Sequence, residues 1–185
     1  MTALPFDPHR YYTVDEFAAL PEDTSLRYEL QEGVIVVSPR PAYAHQVASG
    51  ELYLQLRPQL PPDLAVVQEL DVDLQLSTPR VRVPDLVIMD KAAAHRGGLA
   101  QARDVLVAIE IVSPGSVDLD RKIKPMEYAD AGIPHFWLID PRRPVVAVIS
   151  NLIEGNYEES QRADRRFRVS APCDLAVDLD ALLPS

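Results

Sequence analysis

Residues 105–112, Val-Leu-Val-Ala-Ile-Glu-Ile-Val, restrict this chain's folding more than any other stretch. Eight mostly β-branched and aliphatic residues are too few to cross a bilayer and suit a short central strand buried inside a sheet. Glu110 is the only polar member of the run. Strand alternation sets it on one face with Leu106, Ala108 and Val112. An ionised carboxylate there is costly unless it is paired or bound to a cation. The alternative is a strand end that emerges into solvent, with Glu110 and Ser113 at its rim.

A second apolar run, Val83-Pro-Asp-Leu-Val-Ile-Met89, also carries one acid, Asp85, directly after a proline that holds the chain extended. Phe136–Ile139 and Val145–Ile149 read as two more strands, with Trp137 filling the core, and residues 70–76 alternate as a strand whose Asp71 and Asp73 face solvent. Residues 13–20 form a short helix in which Thr13 and Glu16 make a capping box. Arg27–Leu30 and Val34–Ser38 flank Gln31-Glu-Gly33 as a hairpin, residues 42–57 form a helix ended by Pro58, and residues 118–131 are roughly helical. Seventeen prolines stand between these segments without making a linker, so residues 1–185 read as one α/β domain with a central mixed sheet flanked by helices.

Charge narrows the function. The chain carries 28 acidic against 18 basic residues, net −10, which excludes nucleic-acid binding through a general basic surface. Twelve acids but only four arginines precede residue 74, whereas the remainder is nearly balanced and holds all three lysines, Lys91, Lys122 and Lys124. Cys173 is the only cysteine, so neither an internal disulfide nor a thiolate zinc site can form, and a cytoplasmic location is expected. The N-terminal residues lack the pattern of a secretory signal, and no membrane span is expected.

Two acids on neighbouring strands can share one hard divalent cation, because magnesium takes a few carboxylates and completes its shell with carbonyls and water. Asp85 and Glu110 are such a pair, although either can instead be an ordinary loop or rim acid. In residues 118–128, Lys124 and Tyr128 stand four apart and share a helix face. A lysine near a cation-activated water can orient the nucleophile or offset transition-state charge, whereas the plain alternative is a solvated helix face.

These residues carry a resemblance. Tyr28-Glu29-Leu30 with Gly33, His45, Val83-Pro84-Asp85, Glu110-Ile-Val-Ser-Pro114, Asp120, Lys124 with Tyr128, Ala131-Gly-Ile-Pro134 and Phe136-Trp-Leu-Ile-Asp-Pro141 stand in an ordered series. Order and spacing resemble the Uma family of restriction endonucleases, similar to the PD-(D/E)XK nuclease superfamily, over about residues 12–157. Residues 158–185 are then expected as a C-terminal extension packed on the same domain. The resemblance implies a restriction-endonuclease-like fold in which Asp85, Glu110 and the Ile111 backbone carbonyl hold Mg²⁺ or Mn²⁺. It also implies that Glu29 orients water or completes the metal site, that His45 contacts phosphate or transfers a proton, and that Lys124 is the catalytic lysine.

Two departures matter. The superfamily places a lysine two residues after the Glu, where this chain has Val112, so the lysine's role moves to the helix. Pro125 directly follows Lys124 and disfavours helical geometry at that residue, which makes Lys122 the alternative lysine. The expected function is a metal-dependent DNA endonuclease that leaves 5′-phosphate and 3′-hydroxyl ends, grips DNA weakly and works as a homodimer. The second reading is an inactive restriction-endonuclease-like domain used for nucleic-acid binding or self-association.

Overall fold

Thr13 begins the described secondary structure as its spacing predicts: its hydroxyl accepts the Glu16 amide, and the Glu16 carboxylate accepts the Thr13 amide at 2.9 Å, capping helix α1 (Val14–Ala18). The computed structural model describes residues 6–21, 26–38, 41–113, 115 and 117–183, leaving aside the side chains of residues 94 and 95. Pro114 of the quoted series lies outside the described residues. The predicted hairpin is β1 (Arg27–Gln31) and β2 (Val34–Ser38), joined through Glu32 and Gly33. Both turn residues have positive φ, 51° and 82°, the pair of values a two-residue hairpin turn requires. Helix α2 (Tyr43–Leu56) follows and gives way to a 3₁₀ turn containing Pro58.

The strands then come in quick succession: β3 (Leu64–Gln68), β4 (Val72–Asp73), β5 (Val81–Arg82), β6 (Leu86–Asp90), β7 (Ala100–Gln101) and β8 (Val105–Ile111). The strand expected over residues 70–76 shrinks to β4. Asp73 accepts the Gln75 amide at 2.9 Å and Gln75 turns to φ 53°, so the alternating pattern is cut by a local turn. Asp71 is exposed, whereas Asp73 is half-buried. Helix α3 (Lys124–Asp130) connects β8 to β9 (His135–Asp140), and β10 (Val146–Ile153), β11 (Asn156–Ala163), β12 (Arg166–Val169) and β13 (Leu175–Asp178) complete the chain.

Among the described residues the main sheet has the order β11-β10-β9-β8-β6-β3. Its β8–β9 pair is parallel and the other pairs are antiparallel, so the sheet is mixed, with α3 as the crossover. Both faces of its centre are buried. Leu86, Ile88, Val107, Ile109 and Ile111 enter one core with Ala48, Leu52 and Leu56 of α2. Val87, Met89 and Ala108 enter the other with Tyr128 of α3 and Phe136. Two covered faces explain why these strands read as continuous apolar runs. A register shift opposite Ile88 and Met89 leaves Leu106 as an extra residue, so it packs on the α2 side and not on the Glu110 face as alternation suggests. The smaller sheet, β2-β1-β5-β4-β7, brings the hairpin alongside the start of β6.

The C-terminal strands are part of the core, which their polar sequence conceals. Phe167, Leu175, Val177, Leu179 and Leu182 are buried in the α2-side cluster, and Trp137 is fully buried with its ring edge-on to Phe167 at 5.2 Å. The amides of Gln55 and Gln59 imitate a neighbouring strand. Gln55 accepts from the Asp178 amide at 2.7 Å and donates to its carbonyl at 3.0 Å, and Gln59 does the same with Ala176 at 2.9 and 2.8 Å. Phe167→Ala is therefore expected to cost about 3–5 kcal/mol in urea denaturation, as for a buried aromatic of a main core. A loss below about 1 kcal/mol would make these strands an appendage.

Candidate active site

Four elements meet where β8 ends. The sequence Pro84-Asp85 sits just before β6, and Asp85 accepts the Ile111 amide of β8 at 2.7 Å, which ties the two central strands together through a side chain. The same oxygen, Oδ2, lies 3.0 Å from His45 Nε2 of α2, and Oδ1 accepts from Arg27 Nη1 of β1 at 3.1 Å. Burial pushes the Asp85 carboxyl up, but the His45 hydrogen bond and the charges of His45, Arg27 and Lys124 outweigh it and bring it down to about 2. His45 is itself raised: burial opposes its charged form, but the bond to Asp85 and the charges of Asp85 and Glu110 together outweigh it.

Glu110 faces α3. Lys124 Nζ donates to its Oε2 at 2.8 Å and the Tyr128 hydroxyl to its Oε1 at 2.6 Å, so the helical spacing 124–128 brings two donors to one carboxylate. Burial pushes Glu110 up to about 8; Lys124 opposes this, while Asp85 and Asp120 add to it. Lys124 also lies 3.4 Å from Asp120 and 3.8 Å from Glu29, and these carboxylates, led by Glu110, raise its pKa against the effect of burial.

Pro125 does not displace Lys124. Residues Leu119–Ile123 form a π-turn in which the Lys124 amide reaches back to the Leu119 carbonyl, and Lys124 keeps helical angles of φ −58° and ψ −43°. The wider turn absorbs the missing Pro125 donor that a regular helix would lack. Lys122 is 72% exposed and pairs with Asp118 at 2.8 Å, so the alternative lysine stays outside the cluster.

Behind this face lies a second layer. Glu29 Oε1 accepts the Val83 amide at 3.1 Å and its Oε2 accepts from Arg82 Nη1 at 2.9 Å. Arg82, wholly buried, turns its Nε and Nη2 edge to both oxygens of Glu127 on α3, at 2.6 and 2.8 Å. Arg82 thus joins hairpin, strand and helix. Arg27, Arg82 and Glu127 were not selected from the sequence. Arg82 interrupts the apolar trio Val81-Arg-Val83 beside Asp85, and Arg27 stands two residues before Glu29 on one strand face, which are the signals that point to them.

Arg27, Glu29, His45, Asp85, Glu110, Ile111, Asp120 and Lys124 line one cavity of about 310 Å³. Glu29, Asp85, Glu110 and Asp120 share this lining with Arg27 and Lys124, while Arg82 and Arg80 pair with Glu127 beside it. No group of three or more His, Cys, Asp and Glu side chains gathers as a metal centre among the described residues. A hard divalent ion needs less: two carboxylates, a carbonyl and water suffice. Asp85, Glu110 and the Ile111 carbonyl fit such an ion in donor type.

Comparison with known proteins follows the same outline. A family model described as "Uma2: Putative restriction endonuclease" matches residues 14–180. The match extends beyond residue 157, where the resemblance had been expected to end, and takes in the C-terminal strands that complete the core. Among solved structures, the "putative nuclease belonging to DUF820" from Anabaena variabilis ATCC 29413 is similar at 22% identity with a TM-score of 0.70, covering 92% of this chain and 96% of that one. That likeness supports the fold. No curated protein matches.

The raised Glu110 has a measurable consequence. Between its ordinary value of 4.5 and about 8 the folded protein holds a proton that the unfolded chain has released. The stability from this proton is complete below the lower value and lost as pH rises to the upper one. The melting temperature of metal-free protein is therefore expected to fall across that window, and Glu110→Gln to flatten the fall except for the part carried by His45, whose raised pKa acts with the same sign. An unchanged slope in Glu110→Gln would assign the proton to another group.

Proposed function

Because the chain belongs to the Uma2 family, we propose that it is a metal-dependent endonuclease hydrolysing phosphodiester bonds in DNA. The observation that carries this reading is the meeting of Asp85, just before β6, and Glu110, on the adjacent strand β8, in one cavity beside Lys124. Asp85, Glu110 and the Ile111 carbonyl would hold Mg²⁺ or Mn²⁺, which would supply Lewis-acid activation of water and offset charge at phosphorus.

The chain's own groups do the rest. Lys124 Nζ, kept charged by Glu110, Glu29 and Asp120, donates to the attacking water or to developing oxyanion charge. Tyr128 holds Glu110 in place through its hydroxyl, and Glu29 fixes the lysine from behind. His45 has Nε2 on Asp85, a bond that raises its pKa, and a buried Nδ1 with no hydrogen-bond partner among the described residues. In the overall step the water oxygen bonds to phosphorus and the P–O3′ bond breaks. One water proton is released, and the leaving 3′ oxygen takes up a proton, giving 5′-phosphate and 3′-hydroxyl ends. Two copies in a homodimer would present two such sites to the two strands. With a net charge of −10, DNA is held weakly and locally, in a metal-dependent way. No helix of the described residues is long and apolar enough to cross a membrane.

The test uses plasmid, linear and single-stranded DNA with Mg²⁺ or Mn²⁺. Asp85→Ala and Glu110→Ala are each expected to lower cleavage by about 100-fold or more, the scale of losing a principal electrostatic group. Cleavage that survives both substitutions would remove the site from consideration, and absence of cleavage by the wild type with either metal would favour a binding module. Lys124→Ala is expected to abolish most activity while Lys122→Ala leaves it near wild type; the reverse order would return the role to Lys122.

A further inference from the structure

The two arginines of the cluster, Arg82 buried and Arg27 mostly so, are used differently. Arg82 spends every donor nitrogen on carboxylates: Nε and Nη2 on Glu127, Nη1 on Glu29. Arg27 spends only Nη1, on Asp85. Its Nε and Nη2 are buried and have no hydrogen-bond partner among the described residues. Glu29 Oε1, 3.7 Å from Nη2, attracts the charge but lies beyond hydrogen-bond reach. Leaving two guanidinium donors unmet in a site closed to all but 17% of the side chain is expensive, and native proteins seldom do so without a ligand to meet them.

The unmet donors form one edge. Nε–H and Nη2–H are parallel, and Arg82 shows in the same protein what that edge accepts: the two oxygens of a planar or tetrahedral oxyanion. Arg27 lines the same cavity as Asp85, Glu110 and Lys124. Lys124 is the other permanent cation on that lining, and it is already held among Glu110, Asp120 and Glu29. Of the two, Arg27 alone has a planar edge of two buried donors without a partner, the fork that a phosphate's non-bridging oxygens fit.

We propose that Arg27 is a catalytic residue that binds the scissile phosphate, donating Nε–H and Nη2–H to its non-bridging oxygens while Nη1 stays on Asp85. This rests on the nuclease reading of the same cavity. It assigns a role to the first residue of β1 and makes the hairpin part of the substrate site as well as its scaffold.

Arg27→Lys keeps the charge and removes the planar edge. Its kcat/KM on DNA is expected to fall about 10- to 100-fold, the range for losing a charge-assisted hydrogen bond. The second measurement needs no variant: in ¹⁵N-arginine-labelled wild type with Mg²⁺, inorganic phosphate is expected to shift the Arg27 Nε–H resonance, assigned by through-bond NMR, and to leave that of Arg82 in place. Wild-type cleavage by Arg27→Lys, or an Arg27 resonance unmoved by phosphate, overturns the assignment. If the wild type cleaves no DNA, the nuclease reading fails on its own, and the resonance still decides whether Arg27 binds an oxyanion. If the wild type cleaves DNA and the resonance stays fixed, Arg27 alone is wrong.

Discussion

Keeping ionisable groups buried together is the constraint on which this structure depends. Glu29, Asp85, Glu110, Asp120 and Glu127 are all nearly inaccessible, and each would be ruinous in an apolar core by itself. They are tolerable because Arg27, Arg82 and Lys124 are buried among them. Removing one partner of such a pair typically costs about 3–5 kcal/mol, since the other is left charged and unsolvated. The groups come from β1, the segment around β5, β8 and α3, so no single element is correctly placed unless the rest are. The site is therefore also a clamp between the hairpin sheet and the main sheet.

The clamp explains several local departures from ideal geometry. The π-turn before α3 keeps Lys124 and Tyr128 aimed at Glu110 despite Pro125. Asp85 bonds a backbone amide of the neighbouring strand, so the end of β8 is held by a side chain that also belongs to the cavity. Such coupling of scaffold and side chains holds like charges close together in fixed places, and preorganised groups need not rearrange to act.

Much of the fold was legible because its signals are local. The capping box of Thr13 and Glu16, the turn at Glu32-Gly33, Pro58 at the end of α2 and the apolar runs of β6 and β8 each act within a few residues, and each appears where its chemistry demands. The polar strands β11 to β13 were not legible. They bury isolated residues such as Phe167 and Val177 while alternating with charge, and β13 is bonded by Gln55 and Gln59 from more than a hundred residues away. In the candidate site, Asp85 and Glu110 stood out because a charge in an apolar strand is anomalous on sight. Arg27 and Arg82 did not, since an arginine near a strand end is ordinary until its partners are known.

By itself, then, the sequence determined that the chain makes a mixed α/β domain with two acids on or beside central apolar strands, because strand period, proline stops and capping act through neighbours in the chain. Only the tertiary structure decided which lysine turns inward, which arginine is saturated and which keeps two donors free. Those outcomes depend on long-range pairings such as Arg82 with Glu127 and Arg27 with Asp85, and on the buried surroundings that make each charge expensive to leave alone.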